Sequence, residues 1–231
     1  MQWVIREAPE GWQDLVPKGM PDILGRLLAQ RGVHYDEVER FLRPRLAELT
    51  DPFEIPEINL AVERILHAVD KRERVCVYGD YDVDGVSSIA VLCKTLEAYG
   101  LKPTSFIPRR SSEGYGLSEG GLERCLNECG KPDLMISVDC GTVSNEAIAM
   151  LKSKGIDTVV VDHHEIGPDG RPDCVALVNP KASGHTHDYL CAAGVVFKLA
   201  HALLKRRPLE TFDLKSVLDL VAVATISDIV P

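Results

Sequence analysis

Nowhere in the chain does an apolar run approach the roughly 18 residues that a membrane helix needs, which argues against a membrane-spanning protein. The opening residues, MQWVIREAPEGW, lack the basic-then-apolar layout of a secretory signal, so a cytoplasmic location is expected. Positive charge is in deficit: 26 Lys and Arg stand against 35 Asp and Glu, a net charge of −9. That balance argues against a protein that coats nucleic acid through bulk electrostatics, whose domains are basic overall. It does not exclude a nuclease, because carboxylates gathered around a cation add to the negative total and the cation reverses the sign locally. Internal repeats and low-complexity tracts are absent. The seven cysteines offer no even disulfide framework, and Cys76, Cys93, Cys140 and Cys191 lie in or beside apolar segments, as small buried thiols do. Cys125 and Cys129 have no second Cys/His pair at zinc spacing, which argues against a structural zinc site.

What is present is 231 residues with 45% hydrophobic content, enough for one large domain or one domain with a small appendage. Residues 1 to about 59 are punctuated by proline, and MPDILGRLLAQRG and YDEVERFLRP space their apolar residues as helices do. From residue 60 onward, helical segments alternate with the short apolar runs VCVYG, TSFI, LMISVD, DTVVVD and VALVN. That alternation predicts an α/β domain with a mainly parallel sheet flanked by helices. The chain stops just past the apolar helix candidate DLKSVLDLVAVATI, and an ending there is expected of a fragment.

Polar residues punctuate the ends of these strands, where ligands bind in open α/β sheets. The first run is followed by Asp80, Asp82 and Asp84 at alternate positions, and continued extension would point all three to one side. The string matches the start of a calcium loop, but Val91 stands where that loop needs a glutamate. A solvated turn capping the next helix is the plain alternative. The third run ends in Asp139, and the fourth in Asp162, His163 and His164, a pair of histidines with few structural uses after four apolar residues. Asp228 follows the last helix near enough to project to the same edge. Carboxylates mixed with imidazoles suit manganese or magnesium, and about six ligands would let two ions share a bridging carboxylate, as in phosphoryl displacement.

GDYDVDG (79–85), SVDCGT (137–142), VVVDHHE (159–165) and SDIVP (227–231) resemble the four motifs of the DHH phosphoesterase superfamily. Within it, the leading acid of GDYDVDG resembles the RecJ family of single-strand-specific DNA exonucleases, as do IPRRSSEGYGLS, LVNPK, AAGVVFKL, LLAQRG and FLRPRLAELTDPF. The resemblance implies a three-layer α/β domain over 60–231, after a helical segment and connector over 1–59. It implies that Asp82, Asp84, Asp139, His163 and Asp228 ligate two Mn2+ or Mg2+ ions, with Asp139 as the bridge and Asp80 beside them in the metal cluster. His164 would contact the scissile phosphate, and Asp162 would orient a histidine from behind. Arg110, Tyr115 and Gly116 would lie along a single DNA strand, although a solvated Arg109–Arg110 pair and a tyrosine loop anchor are equally ordinary roles. The KRR run at 205–207 suits a helix C-terminus and receives no site.

The activity implied is a metal-dependent 5′ to 3′ exonuclease of DNA repair and recombination, with other repair or replication proteins as partners. The family continues past SDIVP into a DHHA1 domain and an oligonucleotide-binding domain, both absent here, so a catalytic half with weakened DNA grip is expected. Two other readings stay open: a phosphodiesterase for short oligonucleotides or cyclic dinucleotides, and a non-catalytic truncated or scaffold module.

Overall fold

The computed structural model describes residue 4 and residues 6–114, 116–184 and 187–230, with every side chain of these except Ser112 and Ser183. The chain divides into two compact units, Met1–Asp51 and Pro52–Pro231. In the first, helices α1 (Asp22–Gln30) and α2 (Val38–Leu42) gather Val16, Leu28, Val33 and Val38 into a small core on which Trp12, Met20 and Leu24 pack.

The second unit opens with α3 (Ile58–Lys71), which buries Ile58, Ala61, Val62, Ile65, Leu66 and Ala68, the i, i+3, i+4, i+7 spacing of a one-sided helix. Five strands follow: β1 (Val75–Gly79), β2 (Thr104–Phe106), β3 (Leu134–Val138), β4 (Asp157–Val161) and β5 (Ala176–Val178). Between them run α4 (Val83–Ala98), α5 (Arg110–Glu113), α6 (Glu119–Cys129) and α7 (Asn145–Ser153), and α8 (Ala192–Arg206) and α9 (Leu218–Ser227) close the unit. Among the described residues the strands form one sheet in the order β2-β1-β3-β4-β5, and every pairing is parallel.

The sheet is covered on both faces, which explains why VCVYG and LMISV read as unbroken apolar runs: all five residues of each strand are buried. Cys76 and Tyr78 of β1, Met135 of β3 and Val160 of β4 face one side, where they pack with Leu122 and Cys125 of α6 and Ile148 and Leu151 of α7. On the other side α4 lies against α8 and α9, and α8 against α3. All seven cysteines are free thiols. Among the described residues no helix is long and apolar enough to cross a membrane.

Two features of this topology position everything that follows. β1 lies between β2 and β3, so the chain leaves β1 in one direction and, after β2, returns to its other side. That reversal is the point at which open α/β sheets bind ligands. The register then aligns Gly79 with Val138, Val138 with Val161, and Val161 with Val178. The next residue along each strand is therefore Asp80, Asp139, Asp162 and Asn179, one polar row across the carboxyl edge of the sheet.

Remote from that edge, Glu57 precedes α3 with a left-handed backbone (φ 60°). Its carboxylate accepts from both ends of the Arg171 guanidinium, at 2.5 and 2.9 Å, and from Leu177 N at 2.9 Å, joining α3 to β5. The Arg171 bonds outweigh burial and hold Glu57 below its ordinary value of 4.5. A depressed folded pKa contributes stability above the unfolded value, which is lost as pH falls through the folded one. Glu57→Gln is expected to destabilise the protein at pH 7, and the gap from the parent should close as pH drops below about 4.5, measured by urea denaturation at stepped pH.

Candidate metal centre

The acids after β1 do not continue the strand. Asp82 ends the extension as the N-cap of α4, its Oδ1 accepting Gly85 N at 2.9 Å, and Asp84 sits within the first turn. The expectation that extension would bring Asp80, Asp82 and Asp84 to one side is corrected here: the helix starts at Val83 and sends Asp84 elsewhere. Gly85 makes this turn possible, because a Cβ there would stand 2.5 Å from the Asp80 carbonyl oxygen. Asp80 and Asp84 are buried, while Asp82 is exposed.

Asp84 is held from an unexpected quarter. Its two oxygens accept Ala192 N at 2.7 Å and Ala193 N at 2.8 Å, the leading amides of α8 and the positive end of that helix. The segment AAGVVFKL thus braces an acid more than a hundred residues upstream. Asp139 takes a left-handed backbone (φ 58°), uncommon for a residue with a side chain, and is buried. Asp228 forms the C-cap of α9.

These carboxylates converge on one imidazole nitrogen. His163 Nε2 lies 3.5 Å from Asp139 Oδ1, 3.7 Å from Asp84 Oδ2 and 3.7 Å from Asp228 Oδ2, all beyond hydrogen-bond length. Both ring nitrogens of His163, both oxygens of Asp80 and Oδ2 of Asp139 are buried without a hydrogen-bond partner. Potential donor atoms fall into three overlapping groups: Asp80 with Asp82 and Asp139; Asp84 with His163 and Asp228; and Asp139 with His163 and His164. Within each group they lie inside 4.8 Å of one another. Asp139 and His163 each belong to two groups.

Among the described residues no Lys or Arg pairs with Asp80, Asp82, Asp84, Asp139 or Asp228, and of the basic side chains only the imidazoles of His163 and His164 face these carboxyls. The electrostatic consequence is large. Burial, joined by the charges of Asp84, Asp82 and Asp162, pushes the carboxyl of Asp139 up to about 10. Burial raises Asp80 and Asp84 as well. Ionised carboxylates in such a place cost several kcal/mol each unless paired. Oxygen donors with one or two imidazoles fit a hard divalent cation, which would supply the missing charge and fill the orphaned atoms.

Behind the cluster, Asp162 has the reverse character. Burial works against its charge, yet its bonds to His164 and Thr142 hold it at about 2. Its Oδ1 accepts His163 N at 2.7 Å and the His164 ring at Nδ1 at 2.7 Å, and its Oδ2 accepts Thr142 N at 3.0 Å. The same bond raises the His164 pKa. The rings of His163 and His164 stand 4.6 Å apart.

Arg110 opens α5 on the surface beside the first strand end, its guanidinium 5.2 Å from the Tyr81 ring centroid. The segment is staked by Arg124, which reaches Glu113 and the Ile107 carbonyl and stacks over Phe106 at 4.2 Å. Gly116 has φ 69°, needs glycine for it, and accepts the Tyr78 hydroxyl at 3.2 Å. Tyr115, a candidate from sequence, lies outside the described residues, as does Pro231 of the last motif.

The DHH family, N-terminal domain, matches residues 74–225. Among curated proteins, the single-stranded-DNA-specific exonuclease RecJ of Bacillus subtilis is 40% identical over 212 residues, 90% of this chain and 26% of that protein. RecJ of Salmonella typhimurium is 33% identical over 98% of this chain and 40% of that protein. Among solved structures, RecJ in complex with Mn2+ from Thermus thermophilus superposes with a TM-score of 0.74 at 27% identity, covering 97% of this chain and 32% of that one. An exonuclease RecJ bound to manganese gives 0.69 at 32% identity, covering 77% and 44%. The chain thus spans about a quarter to two fifths of the curated relatives it matches.

A carboxyl raised above its unfolded pKa contributes stability at low pH that is lost as pH rises through the folded value. In chelator, stability carried by Asp139 should therefore decline from about pH 4 toward about pH 10. Asp139→Asn is expected to flatten that decline and to melt above the chelated parent at pH 7 by on the order of 1 kcal/mol, roughly 2–4 °C for a domain of this size. Differential scanning calorimetry across pH in EDTA checks it, and a parent curve as flat as the variant's would contradict it.

Proposed function

The chain belongs to the DHH family, whose N-terminal domain it carries, and on that premise we propose that it is the metal-binding half of a RecJ-like, single-strand-specific 5′ to 3′ DNA exonuclease. The observation that carries this reading is the buried cluster at the sheet's switch point, in which both oxygens of Asp80, one of Asp139 and both ring nitrogens of His163 have no hydrogen-bond partner, beside an Asp84 held by the α8 amides. Asp82, Asp84, Asp139, His163 and Asp228 are the residues that would hold two Mn2+ or Mg2+ ions, with Asp80 beside them. Asp139 suits the bridge because its side chain belongs to groups on both sides. When bound, the ions supply positive charge against a phosphate in the transition state and acidify an attacking water.

The protein's own residues arrange the rest. Asp162 fixes the His164 ring at Nδ1 and so turns Nε2 away from itself, toward a phosphate at the cluster. Asp84 is locked by α8 before any ion arrives, which reduces the reorganisation needed on binding. Arg110 would offer a guanidinium fork to a single strand from the start of α5, and Tyr115 and Gly116 remain candidates from the sequence for the same role. The protein would act in the cytoplasm on single strands exposed in repair and recombination, beside other proteins of those processes.

Incubated with manganese and a 3′-labelled single strand, the chain is expected to shorten the strand stepwise from its 5′ end, and EDTA should stop it. Asp139→Ala should lose at least about 100-fold in rate, in keeping with removal of a central electrostatic group. Cleavage of dinucleotides alone would move the assignment to a small-substrate phosphodiesterase. An Asp139→Ala variant as fast as the parent would refute the residue assignment.

A further inference from the structure

We propose that Asn179 is a positioning residue for the reaction, holding His164 against the cluster through Thr142 and Asp162; this inference rests on the proposed phosphodiester cleavage. Asn179 is the fourth member of the polar row, one residue past β5, and is 1% exposed. Its Nδ2 donates to Thr142 Oγ1 at 2.8 Å and to the His164 carbonyl at 2.8 Å, and its Oδ1 accepts Ala182 N at 3.2 Å. The Ala182 contact fixes which end of the amide is oxygen.

The chemistry of a hydroxyl explains what this does. Thr142 has one proton to give. Because Asn179 donates to the Thr142 oxygen, that proton points away from Asn179, while the Thr142 amide donates to Asp162 Oδ2 at 3.0 Å. Asp162 in turn fixes the His164 ring at Nδ1, while Asn179 itself fixes the His164 carbonyl. Ring and backbone of one histidine are thus clamped by two neighbouring members of the row, and both clamps meet at Thr142. The position demands an amide. An aspartate there could not donate to either oxygen, would set its charge against the His164 carbonyl, and would take the Thr142 proton instead of donating to its oxygen.

Four variants test this: Asn179→Asp, close to isosteric, Asn179→Ala, Thr142→Val and Thr142→Ser. On single-stranded DNA with manganese, Asn179→Asp and Thr142→Val are expected to lower kcat about 10- to 100-fold, the usual loss for partners one bond removed from a site. KM and manganese affinity, the latter by calorimetry, should stay within about twofold, and the Asn179→Asp/Thr142→Val double variant should be no slower than the worse single one. Thr142→Ser, which keeps the hydroxyl, should restore the parental rate. Independently of activity, the His164 Nδ1–H signal in nitrogen-15 NMR should persist in the parent and Thr142→Ser and vanish in Asn179→Asp and Asn179→Ala. An Asn179→Asp protein with parental kcat, or with that signal unchanged, would overturn the proposal. A parent that binds manganese but cuts no DNA would instead show that this half does not cut by itself, and the NMR comparison would still decide the role of Asn179.

Discussion

The interaction on which the structure turns is one left unsatisfied by protein: buried negative charge at the switch point of a parallel sheet. Three strands deliver an aspartate at the same register position, and the ends of two helices add Asp84 and Asp228 around His163 and Asp82 beside Asp80 and Asp139. No fold keeps such a cluster for its own stability, because the desolvation and repulsion that lift Asp139 act against the folded state. The rest of the domain holds the groups together despite that cost. The covered sheet anchors the strand ends, the α8 amides hold Asp84, and the glycine at 85 allows α4 to begin against the backbone of Asp80.

Adjacent aspartates in the row have opposite electrostatic fates, and their neighbours decide which. Asp139 meets other carboxylates and keeps an orphaned oxygen, so burial dominates. Asp162 is as deeply buried but meets amides and a ring N–H, so it remains charged well below the usual carboxylate range. A group that stays charged by itself is suited to orienting a histidine, and one that needs an external cation is suited to holding it.

Much of this was legible in the sequence, because β-branched runs of four or five residues separated by helical spacing mark a parallel sheet, and polar residues stood at the run ends. Asp139, Asp162, His163 and His164 lie where that reading put them, at the carboxyl edge. The turn after β1 was less legible: alternation suggested an extended run, whereas Asp82 serves as an N-cap and Asp84 belongs to the helix. The capping alternative and the cluster are both present there. The support for Asp84 could not be read at all, since it comes from backbone amides of Ala192 and Ala193, and an amide leaves no trace in residue identity. Asn179 could have been found: it ends the fifth apolar run as the aspartates end theirs, but an amide beside a proline looks like an ordinary turn until register places it in the row.

The most direct test is crystallographic. Crystals of the chain grown with manganese, measured at the manganese absorption edge, should show anomalous peaks on either side of Asp139, one toward Asp80 and Asp82 and one toward His163 and Asp228. Absence of anomalous density at the carboxyl edge under saturating manganese, with the cluster ordered, would contradict the account.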